Sequence, residues 1–266
     1  MPDILDRIVA RKAERLAEAK RRMSLADLRA ELEAHSRGRF SFLRACARPD
    51  RLNIIAEVKR ASPSRGLLRE EFDPVALACE YEENGAAAIS VLTEEDHFHG
   101  ALAHLAAIRQ AVRLPLLRKD FLFDPYQLYE AAVAGADAVL LIAAILDAER
   151  LRDLHQLAEE LALDALVEIH NRTELEKALA AGARLIGVNN RNLRTLVVDR
   201  AVSFELAAHV PADVVLVSES GLSTREELED LRRVGYRAFL IGEHLMRAAR
   251  PGDALRALLT PLDRRG

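Results

Sequence analysis

Ile54-Ile-Ala-Glu-Val-Lys-Arg-Ala-Ser-Pro-Ser64 is an apolar run of strand character that ends in charge and passes straight into a Ser/Pro loop. Side chains alternate across a strand, so Glu57 and Lys59 share one face while Ala56 and Val58 share the other. A carboxylate and an ammonium at the exit of a buried strand cost free energy unless something uses them. Short aliphatic or β-branched runs recur at 52–58, 87–92, 114–119, 137–142, 164–169, 184–188, 214–218 and 237–241. Helix-patterned stretches lie between and after them, near 74–84, 101–112, 125–134, 147–162, 171–181, 199–208, 223–234 and 252–260. Asn84-Gly85, Ala134-Gly135, Ala181-Gly182 and Val234-Gly235 place glycine where a helix can end in a left-handed turn. Strands alternating with helices indicate a parallel sheet, and nearly continuous aliphatic strands indicate that both its faces are covered. Eight such units favour an α/β fold of the closed (β/α)8 kind, a TIM barrel, over an open doubly wound sheet. No G-x-G-x-x-G follows the first strand, which removes the main signature of a dinucleotide-binding sheet.

Ahead of the barrel, residues 3–34 read as charged helix with apolar positions Ile4, Ile8, Leu16, Leu25, Leu28 and Leu32, and Ser24 as an N-cap. With no Gly/Ser-rich linker or shift in composition, residues 1–266 are expected to form one domain, in which residues 1–50 are a helical extension across a barrel end. A formal net charge of -4 argues against a nucleic-acid-binding surface. The basic clusters Arg11-Lys12, Lys20-Arg21-Arg22, Arg232-Arg233 and Arg264-Arg265 are expected to be solvated helix faces and ends. Two cysteines, Cys46 and Cys79, form no CxxC and no metal-ligand spacing, which fits a reducing compartment. The N-terminus resembles no secretory or transit peptide, and no apolar run reaches the ~18 residues of a membrane span. A soluble, cytoplasmic protein is expected, without membrane or nucleic-acid partners.

Barrels of this kind carry their reactive groups at the C-terminal ends of the strands. The first strand ends at Glu57 and Lys59, the third at Arg118-Lys119-Asp120-Phe121, and the fifth at Glu168 and His170. The sixth ends in Asn189-Asn190-Arg191-Asn192, the seventh in Ser218-Glu219-Ser220-Gly221 and the eighth in Gly242-Glu243. Polar groups from six strands thus converge on one mouth. Glycine N–H groups after the last two strands suit a phosphate, with Ser62 and Ser64 within reach from the loop after the first. A lysine at such a mouth serves as a Schiff-base nucleophile, a general acid or an electrostatic clamp, and Glu168 as a general base or a lysine's partner. As a set, Glu57, Lys59, Lys119 and Glu168 favour proton transfer over structural salt bridges. His97 and His99 lack further metal ligands nearby and read as exposed loop residues. In a chain only 5% aromatic and without Trp, Phe98 and Phe121 at the mouth suit an apolar or aromatic substrate group, while either one alone fits loop anchoring as well.

These stretches resemble the indole-3-glycerol phosphate synthase family. The resemblance rests on Ile55-Ala-Glu-Val-Lys-Arg-Ala-Ser-Pro-Ser64, Ser90-Val-Leu-Thr-Glu94 with Phe98-His-Gly100, and Leu117-Arg-Lys-Asp-Phe121. It extends through Val167-Glu-Ile-His170, Ile186-Gly-Val-Asn-Asn-Arg-Asn-Leu193, Ser218-Glu-Ser-Gly221 and Ile241-Gly-Glu243, in the family's order. It implies conversion of 1-(2-carboxyphenylamino)-1-deoxyribulose 5-phosphate to indole-3-glycerol phosphate, with loss of CO2 and water and without metal or organic cofactor. Lys119 is then the general acid at the ribulose carbonyl. Lys59 holds the substrate carboxylate, with a share in decarboxylation or loss of the hydroxyl. Glu168 is implied as the late general base, and Glu57 as the group that orients lysines and substrate hydroxyls. Asn189 and Arg191 would bind carboxylate and sugar hydroxyls, and Ser220 the sugar–phosphate arm. Phe98, Phe121 and Leu193 would enclose the anthranilate ring. Ser62, Gly221, Gly242 and the Glu243 N–H would form the phosphate site. Some relatives carry a small hydroxyl residue in place of Glu243. A carboxylate beside a phosphate is unfavourable, so the Glu243 side chain is expected to point away.

The chain ends at Asp263-Arg-Arg-Gly266, from which a stand-alone enzyme is expected, as monomer or weak homodimer. Competing readings are another phosphosugar barrel, an isomerase or Schiff-base aldolase, and a non-catalytic barrel that binds a phosphate metabolite.

Overall fold

The computed structural model describes residues 3–34 and 40–261. The cluster Arg264-Arg265 and the ending Asp263–Gly266 lie outside the described residues. Strand β1 (Asn53–Val58) is followed by a small hairpin, β2 (Ala61–Ser62) and β3 (Gly66–Leu67). The sheet continues through β4 (Ala88–Leu92), β5 (Leu116–Lys119), β6 (Ala138–Ile142), β7 (Asp164–Ile169), β8 (Leu185–Asn189), β9 (Val215–Glu219) and β10 (Tyr236–Ile241). All barrel neighbours pair in parallel, and β1 lies between β10 and β4, which closes the ring. Strand bounds fall within two residues of expectation. The expected run 114–119 starts late because Pro115 has no N–H to give a ladder; its carbonyl accepts from the Ile89 N–H at 2.9 Å.

Alternation along the strands divides the aliphatic residues into two cores. Ile55, Leu117, Leu140, Leu166, Leu185 and Val217 pack together inside the barrel. Ile54, Ala56, Ile89, Val139, Val167 and Phe239 face the helices. Two residues beyond the inner set, the same parity reaches Glu57, Lys119, Glu168 and Glu219, and two steps beyond Leu185 it reaches Asn189. The top layer of the barrel interior is therefore polar by register.

The outer ring comprises α4 (Pro74–Glu83), α5 (Leu102–Ala111), α6 (Pro125–Ala134), α7 (Ala148–Glu160), α8 (Arg172–Ala180), α9 (Ala201–Ala207) and α10 (Arg225–Arg233), then the short α11 (Glu243–Arg247) and α12 (Pro251–Leu259). Helix α11 was not expected. Asp73, Asp147 and Asn171 cap N-termini, and Asp124 and Thr224 form capping boxes with Gln127 and Glu227. Gly85, Gly135, Gly182 and Gly235 all adopt positive φ, as the helix-end reading required.

The N-terminal helices α1 (Ile4–Arg22), α2 (Leu25–Ala34) and α3 (Phe42–Cys46) do not share one barrel end. Helix α1 reaches the C-terminal mouth, where Ile4, Leu5 and Ile8 line a cavity. Helix α3 covers the opposite end: the Leu43 N–H donates to Asp164 at the start of β7 (2.8 Å), and Asn53 donates to the Cys46 carbonyl (3.0 Å). Ser24 stands just before helix α2, its hydroxyl accepting from the Asp27 N–H, and the helix packs along α6.

Lys12 corrects the expectation of a solvated cluster. It is 5% exposed and pairs with the buried Asp120 (2.8 Å) and with Glu95 (3.0 Å). Ile8, Lys12 and Leu16 recur at helical spacing on the buried face of α1, so the ammonium must meet a carboxylate there. Both cysteines are free, Cys46 fully buried. Among the described residues no helix is long and apolar enough to cross a membrane.

Candidate active site

A cavity of about 1000 Å³ opens at the C-terminal ends of the strands. All fourteen candidate residues line it. Glu57, Lys59, Lys119, Glu168, Asn189 and Ser220 form the floor and wall over the barrel interior. Phe98, Phe121 and Leu193 supply an apolar side, on which the two phenylalanine rings lie 6.3 Å apart and tilted by 43°. Arg191, Ser62, Gly221, Gly242 and Glu243 belong to the same enclosure, with Ser64 beside them.

The floor is a charge network. Lys119 Nζ lies 3.2 Å from Glu168 Oε2 and 3.4 Å from Glu219 Oε2, and Lys59 Nζ lies 2.5 Å from Glu57 Oε2. Two ammonium groups thus face three carboxyl groups. Burial works against the Lys119 cation, but Glu168, Glu219 and Glu57 outweigh it and raise its pKa, so the proton is firmly held. Burial raises Glu168, while Lys119 and His170 overcome that and hold it below the ordinary carboxylate range. Glu219 is left over: burial first, then the charges of Glu168 and Glu57, push it up to about 8 against the pull of Lys119. At neutral pH one carboxyl of the ring therefore keeps its proton. Its Oε1 is buried without a hydrogen-bond partner among the described residues.

Glycines make room for this ring. A Cβ on Gly242 would stand 2.1 Å from Glu57 Oε2 and 3.0 Å from Lys59 Nζ, and one on Gly187 would stand 2.1 Å from Glu219 Oε1. Ser220 and Gly221 both have positive φ, 68° and 74°. Such a backbone is strained at a serine. It is held by the Ser220 hydroxyl, which donates to Asn189 Oδ1 (2.8 Å), and by Asn190, which donates to the Ser220 carbonyl (3.1 Å). Asn189 Oδ1 also accepts from the Arg191 N–H at 3.0 Å, so one amide positions both neighbours.

Some expectations change. The Glu243 side chain does not point away. Its carboxylate lines the cavity and meets Arg65 (3.0 Å), Arg191 (3.5 Å) and Arg247 (3.6 Å). Three cations there offset the repulsion that the expectation rested on. His99 is exposed, whereas His97 is half-buried with Nδ1 3.4 Å from Glu94. His170 stands behind Glu168, with Nε2 3.6 Å from Glu168 Oε1 and Nδ1 3.0 Å from Glu174. Burial lowers its pKa, but Glu174 and Glu168 outweigh that and raise it overall. Sequence reasoning placed Glu219 at a strand end without a role; its inward parity after Val217 was the available signal. Ile4, Leu5, Ile8 and Arg65 were missed as lining residues.

The family model for indole-3-glycerol phosphate synthase matches residues 5–258. The chain belongs to the indole-3-glycerol phosphate synthase family. An indole-3-glycerol phosphate synthase of Desulfotalea psychrophila is 52% identical over 263 residues, 98% of this chain and 100% of that relative. One of Carboxydothermus hydrogenoformans is 48% identical over 261 residues, 96% of this chain and 99% of that relative. The solved structure of 3-hexulose-6-phosphate synthase from Salmonella typhimurium superposes with TM-score 0.64 at 13% identity, over 78% of this chain and 96% of that one. At that identity the likeness shows the barrel alone. As a member of the indole-3-glycerol phosphate synthase family, the chain is a carboxy-lyase of tryptophan biosynthesis acting on a phosphorylated small molecule.

Proposed function

We propose that the charge network at the barrel mouth carries out all three steps on 1-(2-carboxyphenylamino)-1-deoxyribulose 5-phosphate. In ring closure, the ring carbon that bears the carboxylate attacks the ribulose carbonyl, and Lys119 gives a proton to the carbonyl oxygen. Lys59 holds the substrate carboxylate beside Glu57. Its CO2 then leaves, and the electron pair of the broken bond restores the aromatic ring. In dehydration, Glu168 removes a proton from the former ribulose CH2 while the hydroxyl leaves as water, protonated by a lysine. Glu57 orients Lys59 and the substrate hydroxyls.

Phe98, Phe121 and Leu193 enclose the anthranilate ring. Asn189 and Arg191 bind the carboxylate and hydroxyls, and Ser220 touches the sugar–phosphate arm. Ser62, Gly221, Gly242 and the Glu243 N–H take the phosphate. These steps need proton transfer and electrostatic binding, which the side chains themselves supply. The same reading treats the chain as one cytoplasmic domain, monomeric or weakly dimeric, with no nucleic-acid or membrane partner.

The observation that carries the proposal is Lys119 Nζ held at 3.2 and 3.4 Å from two carboxyl groups in a cavity that also presents an aromatic wall. The test is direct turnover: purified protein given the carboxyphenylamino-deoxyribulose phosphate should generate indole fluorescence. Trapping of a substrate adduct on Lys59 or Lys119 by borohydride would instead favour Schiff-base chemistry.

A further inference from the structure

We propose that the Glu243 carboxylate is an internal counter-anion that competes with the phosphate of substrate and product for the same arginines. The inference rests on the phosphate site described above and extends it to the Arg65 guanidinium and to the part of the Arg191 fork not turned to the substrate hydroxyls, both on the same cavity rim. It gives the Glu243 side chain, of which that site uses only the backbone N–H, a role in setting phosphate affinity.

Glu243 Oε1 lies 3.0 Å from Arg65 Nε, and Oε2 lies 3.5 Å from an Arg191 terminal nitrogen. Arg65 stands in the turn between β2 and β3, in the loop that leaves β1. Arg191 follows β8, and Arg247 sits one turn along α11, 3.6 Å from Oε1. One carboxylate thus ties together three separate segments of the rim. Ser62, Gly221 and Gly242 line the same cavity as these four charged side chains.

The charges explain why competition follows. Three arginines and one glutamate leave two positive charges, and a phosphate monoester carries about −1.5 to −2 near pH 7. The rim can therefore neutralise a phosphate, but Arg65 and Arg191 cannot pair fully with both anions. A carboxylate tethered to the protein is always at hand and weaker than the phosphate, whose oxygens accept several charge-assisted hydrogen bonds. Glu243 must yield when phosphate arrives and reclaim the guanidinium groups as it leaves. Because substrate and product carry the same phosphate, the device weakens both and speeds release of product. Arg65 is 57% exposed in its side chain, so without such a partner it would be a mobile cation on a loop.

Inorganic phosphate is the probe, measured as an inhibitor of turnover against the carboxyphenylamino-deoxyribulose phosphate. Glu243→Gln keeps the side-chain length and the backbone N–H while removing the charge. The inhibition constant for phosphate should fall by roughly two- to fivefold, the size expected for partly exposed ion pairs. Product dissociation, followed by stopped-flow fluorescence, should slow by a similar factor. An unchanged or weaker phosphate affinity in Glu243→Gln overturns the inference, because the carboxylate would then only hold the arginines in place.

A second comparison stands even if that variant is less stable. Arg65→Gln should weaken phosphate more in the Glu243→Gln background than in the native protein, since only there is the guanidinium given wholly to phosphate. Equal losses in both backgrounds also overturn the inference. If phosphate fails to compete with substrate in every protein, the phosphate site itself is wrong and the inference falls with it.

Discussion

Replacing Glu219 by glutamine should stabilise the folded protein at neutral and alkaline pH. The buried carboxyl is raised from its ordinary value of 4.5 to about 8. A group raised in this way still binds its proton in the folded protein after the unfolded chain has released it. Stability is therefore lost as pH climbs from the unfolded value to the folded one, and the loss is complete above it. At about 1.4 kcal/mol per unit, the rise from 4.5 to about 8 costs on the order of 5 kcal/mol above pH 8 and about 3 kcal/mol at pH 7. Glutamine has nearly the same shape, cannot ionise, and still offers Lys119 an acceptor oxygen. For a chain of this size about 2–4 °C accompanies each kcal/mol, so the variant should melt roughly 6–12 °C higher at pH 7. Near pH 4.5 the two proteins should converge. Thermal melts of both across that range make the test. A difference that does not vary with pH, or a variant less stable throughout, would refute the assignment of Glu219 as the surplus carboxyl of the ring.

Lys119→Ala should reduce turnover by about 10²–10⁴-fold, the worth of a general acid, with an unchanged circular dichroism spectrum. Near-normal activity would remove Lys119 from that role. Glu168→Gln should let an intermediate build up in single-turnover fluorescence traces, because only the late proton removal is blocked. Lys12→Met should cost roughly 1.5–3 kcal/mol in chemical denaturation, since it strips one charged partner from the buried Asp120, which keeps Arg118 (3.2 Å) and the Thr93 hydroxyl (2.6 Å). An unchanged midpoint would show that α1 docks without that pair. Gly242→Ala places a Cβ 2.1 Å from Glu57 Oε2, so it should lower both activity and melting temperature.

Most of the barrel was legible in the chain because its rules are local. Strand parity follows from a period of two, so Ile55-Ala-Glu57 and Leu117-Arg-Lys119 each reveal an inward charge without knowledge of the partner strand. Asn84-Gly85 and Ala134-Gly135 likewise mark helix ends from backbone chemistry alone. The features that escaped depend on what lies across space. Lys12 looked like one more surface cation until the buried Asp120 appeared beside it. Glu243 looked unfavourable beside a phosphate because Arg65 and Arg191 are far from it in sequence. The surplus proton on Glu219 emerges only once two lysines and three carboxyl groups are known to share one floor. The shift of α3 to the opposite end also rests on a distant group, Asp164, which receives its first turn.

A crystal structure of the protein with a non-reactive analogue of the carboxyphenylamino-deoxyribulose phosphate tests the assignment of the mouth most directly. The analogue's carbonyl oxygen or its hydroxyl equivalent should lie within hydrogen-bond reach of Lys119 Nζ, its ring between Phe98 and Phe121, and its phosphate against Ser62, Gly221 and Gly242. A ligand whose reacting atoms lie away from both Lys119 and Glu168 would contradict that assignment.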